Sequence, residues 1–435
     1  MRNDEIIMSM KKKDILKFDF NDLIILNRDR KVIIHRKKYK TSVRLNREVF
    51  EYFCYANENN MTIGDFVECF DREEDKNYIR EVTNMLKDRK ILSNGRCGDK
   101  VYFKDIYLAL TNRCNLKCVH CASHSSPNEN DKLKYNDICF ILDNIALLNT
   151  RRLILTGGEP LVREDFYQIV NYINSNKICK ELYLSTNGTL INKNNVEFIV
   201  KNFDRIDMSL DGVDEKSCSL IRGKNVFNKV INTVNLLHEK NFYNITLSMV
   251  FDQKNIDRFE EFRLLNKNMN TIPIERYFEP VGRGISNKSI FTENESFLPL
   301  SISTLNEYML NTDNNSYNKY TPFSCNACEE QLFINYDGEM YPCPSLVKSS
   351  YRLGSSMDMK IINKIKLNNL DGFAGYINLK KIYPYYYDKC KKCDVNLFCL
   401  KCPAKVDLIK DSDSLHDEWC RCMKYNIGRI VWGES

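Results

Sequence analysis

Residues 108–121 read Leu-Ala-Leu-Thr-Asn-Arg-Cys-Asn-Leu-Lys-Cys-Val-His-Cys. A β-rich apolar run ends at Leu110, and three cysteines follow within one loop, at Cys114, Cys118 and Cys121. Four thiolates close a 4Fe–4S cluster, so three leave one iron open to an outside ligand. A catalytic metal needs such an open position. The spacing therefore favours a catalytic cluster over a zinc or structural metal site.

This loop resembles the signature of the radical S-adenosylmethionine (SAM) superfamily. In that family the open iron binds the amino and carboxylate groups of SAM. One electron then breaks the sulfonium bond, and the resulting 5′-deoxyadenosyl radical takes a hydrogen from the substrate. The resemblance implies that Cys114, Cys118 and Cys121 hold the catalytic 4Fe–4S cluster. His120 stands where the family often has an aromatic residue, and we expect it to pack over the cluster equally well.

Three later segments match the same family in the same order. They read Thr-Gly-Gly-Glu-Pro at 156–160, Leu-Ser-Thr-Asn-Gly at 184–188 and Met-Ser-Leu-Asp-Gly at 208–212, the last followed by Ile-Arg-Gly at 221–223. The resemblance implies that SAM is bound by Gly157, Gly158, Glu159, Ser185, Asn187, Ser209 and Arg222. A further segment, Pro-Val-Gly-Arg-Gly at 280–284, resembles a late-barrel motif, and we assign it no role.

The expected contacts follow from the residue types. The glycines let the backbone approach a ligand closely. Glu159 either neutralises the cationic SAM amino group or stabilises the turn. Ser185 and Asn187 are expected to bond to ribose hydroxyls. Ser209 and Arg222 are expected to hold the SAM carboxylate, because a guanidinium fork suits that geometry.

Apolar β-runs alternate with helical stretches between residues 105 and 290. This alternation predicts an α/β fold with a parallel sheet or barrel, in which active sites lie at the carboxyl ends of the strands. The resemblance makes it a partial (β/α)6 radical SAM barrel. Residues 94–104 read as a linker, and residues 291–324 as a connecting region with a helix over residues 298–310.

Eight more cysteines lie between residues 325 and 420. The segment 325–435 resembles a SPASM domain, the auxiliary-cluster module of many peptide-modifying radical SAM enzymes. Asp337-Gly338 predicts a hairpin turn between strands that bear Cys328 and Cys343. The resemblance implies two auxiliary 4Fe–4S clusters, one held by Cys325, Cys328, Cys343 and Cys402 and the other by Cys390, Cys393, Cys399 and Cys420.

Several alternatives stay open in this segment. Cys422 is the alternative to Cys420, which we prefer because Lys424 follows it, as in the family. CxxC pairs are also common zinc ligands. The spacing before Cys328 varies in the family, so a free Cys325 and an open auxiliary iron are a second possibility. The gap from Cys399 to Cys402 is shorter than usual, a feature shared with some thioether-forming maturases.

Residues 1–93 predict a small α+β module with a hairpin over 23–36 and three amphipathic helices. The module resembles the winged-helix, PqqD-like domain that binds the leader of ribosomally made peptides. In that family the leader adds a strand to the sheet edge, here expected near residues 32–43, beside the third helix near 76–90. Basic side chains there favour an acidic leader: Lys37, Lys38, Lys40, Lys76, Arg80 and Lys87. Many winged helices bind DNA instead.

The net charge, the apolar runs and the number of cysteines limit the functions that the chain can have. The formal net charge is +6 over 435 residues. Eleven cluster thiolates and three clusters would bring it to about +1, so charge gives no support for nucleic-acid binding. We find no apolar run long enough to cross a membrane and no secretory signal, so we expect a cytoplasmic protein. In that compartment eighteen cysteines indicate metal binding or catalysis rather than disulfides.

These observations predict a radical SAM enzyme that modifies a precursor peptide. By resemblance to sactipeptide maturases, the bond formed is a cysteine sulfur-to-α-carbon thioether, as in bacteriocin-like peptide maturation. The expected partners are the precursor peptide and an electron donor such as flavodoxin or ferredoxin. The alternatives are carbon–carbon crosslinking, epimerisation, maturation of a sulfatase, and a non-catalytic metal-containing peptide-binding protein.

Overall fold

The computed structural model describes residues 14–92, 103–292 and 322–433. These residues belong to two compact units, one formed by Met1–Asp99, Thr312–Cys325 and Ile382–Ser435, the other by Lys100–Asn311 and Asn326–Lys381. Two predicted features lie outside the described residues: most of the linker over 94–104, and the helix over 298–310. No described helix combines the length and apolar character needed to span a membrane.

The amino-terminal part of the first unit is a three-stranded antiparallel sheet followed by helices. The elements are β1 (Leu23–Arg28), β2 (Lys31–Arg36), β3 (Thr41–Asn46), α1 (Arg47–Glu58), α2 (Ile63–Glu68) and α3 (Glu73–Asp88). Asn46 starts α1 by accepting a hydrogen bond from the Glu48 amide. Thr62 starts α2 in the same way through the Asp65 amide. Such side-chain caps satisfy amides that the helix itself leaves unpaired.

The sheet order corrects one expectation about this module. The strands lie in the order β1-β2-β3, so β2 is the central strand. Residues 32–36 therefore have neighbours on both sides and cannot accept an added strand. The sheet edge that lies beyond residue 40 is β3, and its described pairing is with β2.

The second unit is built on a nine-stranded sheet. Its parallel strands are β4 (Asp105–Ala109), β5 (Arg152–Thr156), β6 (Glu181–Thr186), β7 (Arg205–Ser209), β8 (Ile245–Phe251) and β9 (Ile272–Tyr277). The helices between and after them are α4 (Tyr135–Ala146), α5 (Phe166–Ser175), α6 (Val196–Asn202), α7 (Glu215–Arg222), α8 (Val226–Glu239), α9 (Phe259–Asn268) and α10 (Arg283–Ser286). The alternation predicted from the sequence is present, and α7, which ends in Arg222, is an addition to it.

The sheet is an open partial barrel extended by a hairpin. Strands β10 (Gln331–Ile334), β11 (Glu339–Tyr341) and β12 (Gly354–Ser355) follow, then α11 (Met359–Lys366) and α12 (Ala374–Lys381). The order is β12-β11-β10-β4-β5-β6-β7-β8-β9, with β10 parallel to β4. Strand β8 is buried at nearly every position, as expected of a parallel strand covered on both faces. The carboxyl ends of β4–β9 thus lie at one edge of the sheet.

The carboxy-terminal part of the first unit contains α13 (Pro403–Ile409) and the long helix α14 (Asp413–Trp432). The amino-terminal sheet binds the end of α14. Arg44 donates to the Val431 carbonyl at 2.7 Å, and the Lys31 ammonium donates to the Trp432 carbonyl. These carbonyls have no partner inside the helix, and cations at this end also interact favourably with the helix dipole.

Candidate active site and auxiliary metal centre

The three-cysteine loop leaves the end of β4 and forms no helix or strand of its own. Cys114 and Cys118 are buried, and Cys121 is half-buried. The Cys114 amide donates to the Ser126 carbonyl at 3.1 Å, and the Cys121 amide donates to the Cys118 carbonyl at 3.3 Å. These bonds fold the loop back on itself, and the thiols of Cys118 and Cys121 are close enough to Cys114 to contribute to the rise in its pKa.

The two glycines after β5 allow the chain to pass directly beneath this loop. The Gly158 amide donates to the Thr111 carbonyl at 2.8 Å, and the Glu159 amide donates to the Arg113 carbonyl at 2.9 Å. A Cβ atom on Gly157 would lie 2.3 Å from the Thr111 oxygen, and one on Gly158 would lie 2.2 Å from the Arg113 oxygen. Both contacts are too close for any side chain. These glycines therefore serve the packing of the cysteine loop.

Glu159 is fully buried and connects the ends of β5 and β6 through hydrogen bonds. Its carboxylate accepts hydrogen bonds from the Asn187 amide at 2.7 Å, the Thr186 hydroxyl at 2.7 Å and the Leu161 amide at 3.2 Å. Burial raises the pKa of Glu159, and these donors oppose the rise. Of the two roles expected for Glu159, the described contacts correspond to stabilising the turn.

Asn187 also bonds to protein groups. Its side-chain nitrogen donates to Asn115 Oδ1 at 2.8 Å and lies 3.8 Å from the Cys114 sulfur. Its side-chain oxygen accepts from the Thr189 amide at 2.9 Å. These contacts hold the cysteine loop against the end of β6. The ribose contacts expected of Asn187 and of the half-buried Ser185 stay predictions.

A buried ion pair lies beneath Cys118. Arg222 donates through Nε to Asp211 Oδ2 at 2.7 Å, and Arg222 Nη1 lies 3.9 Å from the Cys118 sulfur. His120 Nε2 lies 2.7 Å from the same Asp211 oxygen. Burial alone would raise the pKa of Asp211, but the Arg222 guanidinium and His120 outweigh it and hold that pKa far below its usual range.

Arg222 and His120 both contact Asp211, and their roles toward SAM and the cluster stay predictions. Asp211, which the sequence argument did not single out, engages the Arg222 guanidinium, so Nη1 is the part that points toward the cysteines. The His120 ring stacks on Phe291 with centroids 6.0 Å apart, while its buried Nδ1 has no described hydrogen-bond partner. Ser209 lies at the end of β7, with the Ser248 hydroxyl 3.5 Å away.

The segment 280–284 has a role that the sequence did not reveal. Arg283 donates through its side chain to the Cys118 carbonyl at 2.9 Å and to the Ser125 carbonyl at 2.7 Å. The Arg283 amide donates to the Cys121 carbonyl at 3.0 Å. Gly282, at φ +54°, lies so close that a Cβ atom would be 2.4 Å from the Cys121 oxygen. The late-barrel motif thus packs against the cysteine loop and bonds to its carbonyls.

The chemistry of the loop fits an iron–sulfur cluster with one open iron. Burial raises the pKa of Cys114 to about 11 and also raises that of Cys118, while Arg222 opposes the rise at Cys118. Thiolates are the ligands, so cluster binding must release these protons. Within the described ranges, no three cysteine, histidine or carboxylate side chains form a group that could hold a single metal ion. A 4Fe–4S cluster instead takes one cysteine on each iron.

A second group of cysteines lies in the first unit, around the start of α14. Burial raises the pKa of Cys390 to about 12, and Cys420 and Cys393 add to the rise. Burial also raises the pKa of Cys399 to about 12, with the same neighbours contributing. Such mutual effects require proximity, so the structure brings together the four residues predicted for one auxiliary cluster. The side chain of Cys422 lies outside the described part of the chain.

The other predicted auxiliary set is divided between the two units. Cys328 and Cys343 lie just outside the β10–β11 hairpin, rather than within its strands as expected. The predicted turn is present, with Gly338 at φ +81°. Cys325 and Cys402 belong to the first unit. This set of four stays a prediction.

Comparisons with known proteins find two family models that match this chain. Residues 108–265 match the radical SAM superfamily, and residues 325–394 match the SPASM iron–sulfur cluster-binding domain. The mycofactocin maturase MftC of Mycolicibacterium smegmatis is 30% identical over 177 residues, which is 40% of this chain and 44% of that protein. A GTP 3′,8-cyclase of Clostridium botulinum (strain Langeland) is 25% identical over 297 residues, which is 61% of this chain and 91% of that protein.

Solved structures show the same fold. Streptococcus suis SuiB bound to S-adenosylmethionine superposes with a TM-score of 0.52 at 14% identity, over 89% of this chain and 95% of SuiB. Native anSMEcpe with bound AdoMet superposes with a TM-score of 0.54 at 19% identity, over 76% of this chain and 98% of anSMEcpe. SuiB has also been solved bound to its precursor peptide SuiA. The two sequence relatives are named for different reactions, so they support the shared core rather than one substrate.

Gly158→Ala should disrupt the cysteine loop, because its Cβ would lie 2.2 Å from the Arg113 oxygen. We expect the iron bound after reconstitution to fall by about four per chain. Gly372→Ala is the matched control, since a Cβ there meets no atom within 4 Å. Equal iron content in the two variants would contradict the role assigned to Gly158.

Asp211→Asn should leave the Arg222 guanidinium buried without its charge partner. Breaking a buried pair in this way costs about 3–5 kcal/mol. Asp214→Asn is the control, because Asp214 pairs with Arg258 at the surface with 48% of its side chain exposed, and an exposed pair contributes about 0–1 kcal/mol. Urea denaturation of the metal-free proteins measures the difference. Equal urea midpoints for the two variants would contradict this expectation, because the buried Asp211–Arg222 pair would then contribute no more stability than the exposed Asp214–Arg258 pair.

Proposed function

The chain is a radical SAM enzyme with a SPASM iron–sulfur domain, and from this premise we propose that it modifies a ribosomally made precursor peptide by forming cysteine sulfur-to-α-carbon thioethers. The observation that carries the proposal is a three-cysteine loop held at the carboxyl end of a parallel sheet, in a chain that also has a groove lined by three cations. When bound, the loop cluster supplies the electron that splits SAM, and the auxiliary clusters supply an acceptor for one electron.

The residues of the chain have distinct parts in this scheme. Cys114, Cys118 and Cys121 hold the loop cluster. Gly157, Gly158 and Ser185 border the space for SAM, and Ser209 with Nη1 of Arg222 offers donors for its carboxylate. Glu159, Asn187 and Asp211 fix these groups from beneath.

The thioether reaction balances as a two-hydrogen oxidation of the peptide. Bound SAM would supply the radical that takes one hydrogen atom from an α-carbon, and the cysteine thiol would lose a proton. The sulfur–carbon bond then forms, and one electron is left over. The auxiliary cysteines Cys390, Cys393, Cys399 and Cys420 fit the need for an acceptor, and an external flavodoxin or ferredoxin is the proposed source of electrons for SAM cleavage.

The groove lies in the amino-terminal module, between β3 and α3. It has a volume of about 540 Å³ and is lined by Arg30, Lys31, Arg44, Leu45, Asn46, Tyr78, Glu81, Val82 and Met85. Three cations face one carboxylate there, so the groove carries net positive charge. A leader peptide that adds a strand to the edge of β3 would place alternate side chains in this groove.

Three of the six basic residues that the sequence predicted for binding an acidic leader form ion pairs with carboxylates of the same module. Lys76 pairs with Glu68 at 2.5 Å, Arg80 pairs with Glu73 at 2.7 Å, and Lys87 pairs with Asp14 at 3.4 Å. Of the three cations that line the groove, Lys31 and Arg44 also donate to carbonyls at the end of α14. We therefore assign the recognition of acidic leader residues to Arg30, which is exposed to solvent.

Under strong reductant, the reconstituted chain should convert SAM to 5′-deoxyadenosine, and its peptide should lose two hydrogens per bridge. Cys118→Ala should abolish SAM cleavage, whereas Cys139→Ala, on α4 and outside every predicted cluster, should retain it. Chromatography and mass spectrometry give both readouts.

The other outcomes separate the alternatives. Cleavage with no peptide mass change, and one deuterium gained from heavy water, would favour epimerisation. Two hydrogens lost with all cysteine thiols still free would favour carbon–carbon crosslinking. Bound zinc with no cleavage would leave a non-catalytic binding protein and refute the proposal.

Arg30→Glu should weaken binding of an acidic precursor peptide. One reversed charge at a partly exposed site is worth on the order of 1 kcal/mol, or about a fivefold rise in Kd, and the effect should shrink in high salt. Arg89→Glu is the control, because Arg89 is exposed on the same module but does not line the groove. Fluorescence anisotropy with a labelled peptide measures both. Equal affinities would place the leader elsewhere.

A further inference from the structure

Helix α14 presents three side chains to the second group of cysteines. His416, Trp419 and Cys420 lie at spacings of three and four residues, which places them on one face of the helix. Ser412 starts the helix by accepting a hydrogen bond from the Leu415 amide. The helix therefore fixes two aromatic N–H groups beside a predicted cluster ligand on the same element.

His416 lies between two of the predicted ligands. It is 6% exposed, and its Nε2 lies 3.5 Å from the Cys390 sulfur and 3.9 Å from the Cys420 sulfur. Its Nδ1 lies 3.6 Å from an Asp417 oxygen. In the tautomer that carries its hydrogen on Nε2, this atom donates to the Cys390 sulfur, which is its shortest sulfur contact.

Trp419 makes the second contact. Its Nε1 lies 3.1 Å from the Cys399 sulfur. The indole N–H can only donate, so the direction of this bond does not depend on a tautomer. Together the two residues direct donors at two of the four sulfurs predicted to hold this cluster.

We propose that His416 and Trp419 are positioning residues that raise the reduction potential of the auxiliary cluster held by Cys390, Cys393, Cys399 and Cys420. The reduced cluster carries one more negative charge, and hydrogen bonds to its sulfurs stabilise that charge. Such outer contacts tune a metal site without ligating it. The cluster is thereby a better acceptor for the electron left by the peptide. This inference rests on the proposed function, since it requires the cluster to be present.

The test compares His416→Phe and Trp419→Phe, which keep an aromatic ring and remove the N–H. Both are made in the full chain with Cys114, Cys118 and Cys121 changed to alanine, so that auxiliary clusters alone contribute. Redox titration followed by electron paramagnetic resonance should show a more negative midpoint for one auxiliary cluster in each variant, with unchanged iron content. His416→Gln should return the midpoint toward that of the parent, because its amide nitrogen can occupy the position of Nε2.

Tyr425→Phe, at a position 69% exposed on the same helix, is the control and should leave both midpoints unchanged. Unchanged midpoints in both aromatic variants, with iron intact, would overturn the inference and leave the proposed function standing. Loss of about four irons in His416→Phe would also overturn it, by making His416 necessary for holding the cluster. Absence of auxiliary clusters in the parent chain would instead refute the proposed function.

Discussion

The candidate active site depends on backbone hydrogen bonds made to a loop that has no regular structure of its own. Between Thr111 and Cys121 the carbonyls accept amides from the chain after β5 and from Arg283, while the Val119 amide donates to the Ile221 carbonyl at 3.0 Å. These partners lie in the loop after β5, in α7 and at the start of α10. The positions of the three thiols therefore depend on how the parallel strands and the helices after them are assembled. The cysteines lie close together in sequence, but partners from distant parts of the unit hold their loop in place.

Two buried carboxylates also help to hold the groups around the cysteine loop in place. Glu159 joins the ends of β5 and β6 through hydrogen bonds to uncharged donors, whereas Asp211 pairs with a cation that also faces Cys118. Burying a charge is costly unless it is paired or hydrogen-bonded. These two residues meet that condition in different ways, and they leave polar groups such as Nη1 of Arg222 directed toward the thiols. In the proposed function, Glu159 and Asp211 thus position the groups that bind SAM.

Sequence reasoning predicted the parallel strands and the helices between them because their apolar periodicity is local and strong. It singled out the cysteines because three of them fall in one loop after a strand, at a spacing that resembles a family signature. It did not find Asp211, whose Asp-Gly context after a strand is common, nor Arg283, whose partners lie about 160 residues earlier. It placed the leader-binding cations on Lys76 and Arg80, because ion pairing with Glu68 and Glu73 cannot be read from composition. His416 did leave a signal, since it precedes Trp419 by three residues and Cys420 by four, which is the spacing of one helix face.

The central claim is that the loop cluster has one iron without a protein ligand. Mössbauer spectroscopy tests it most directly, on full-length chain with the auxiliary cysteines replaced and the loop cluster reconstituted with enriched iron. The account predicts that one of four irons changes its isomer shift when SAM is added, while the other three keep theirs. Four irons that all stay unchanged on addition of SAM would contradict it.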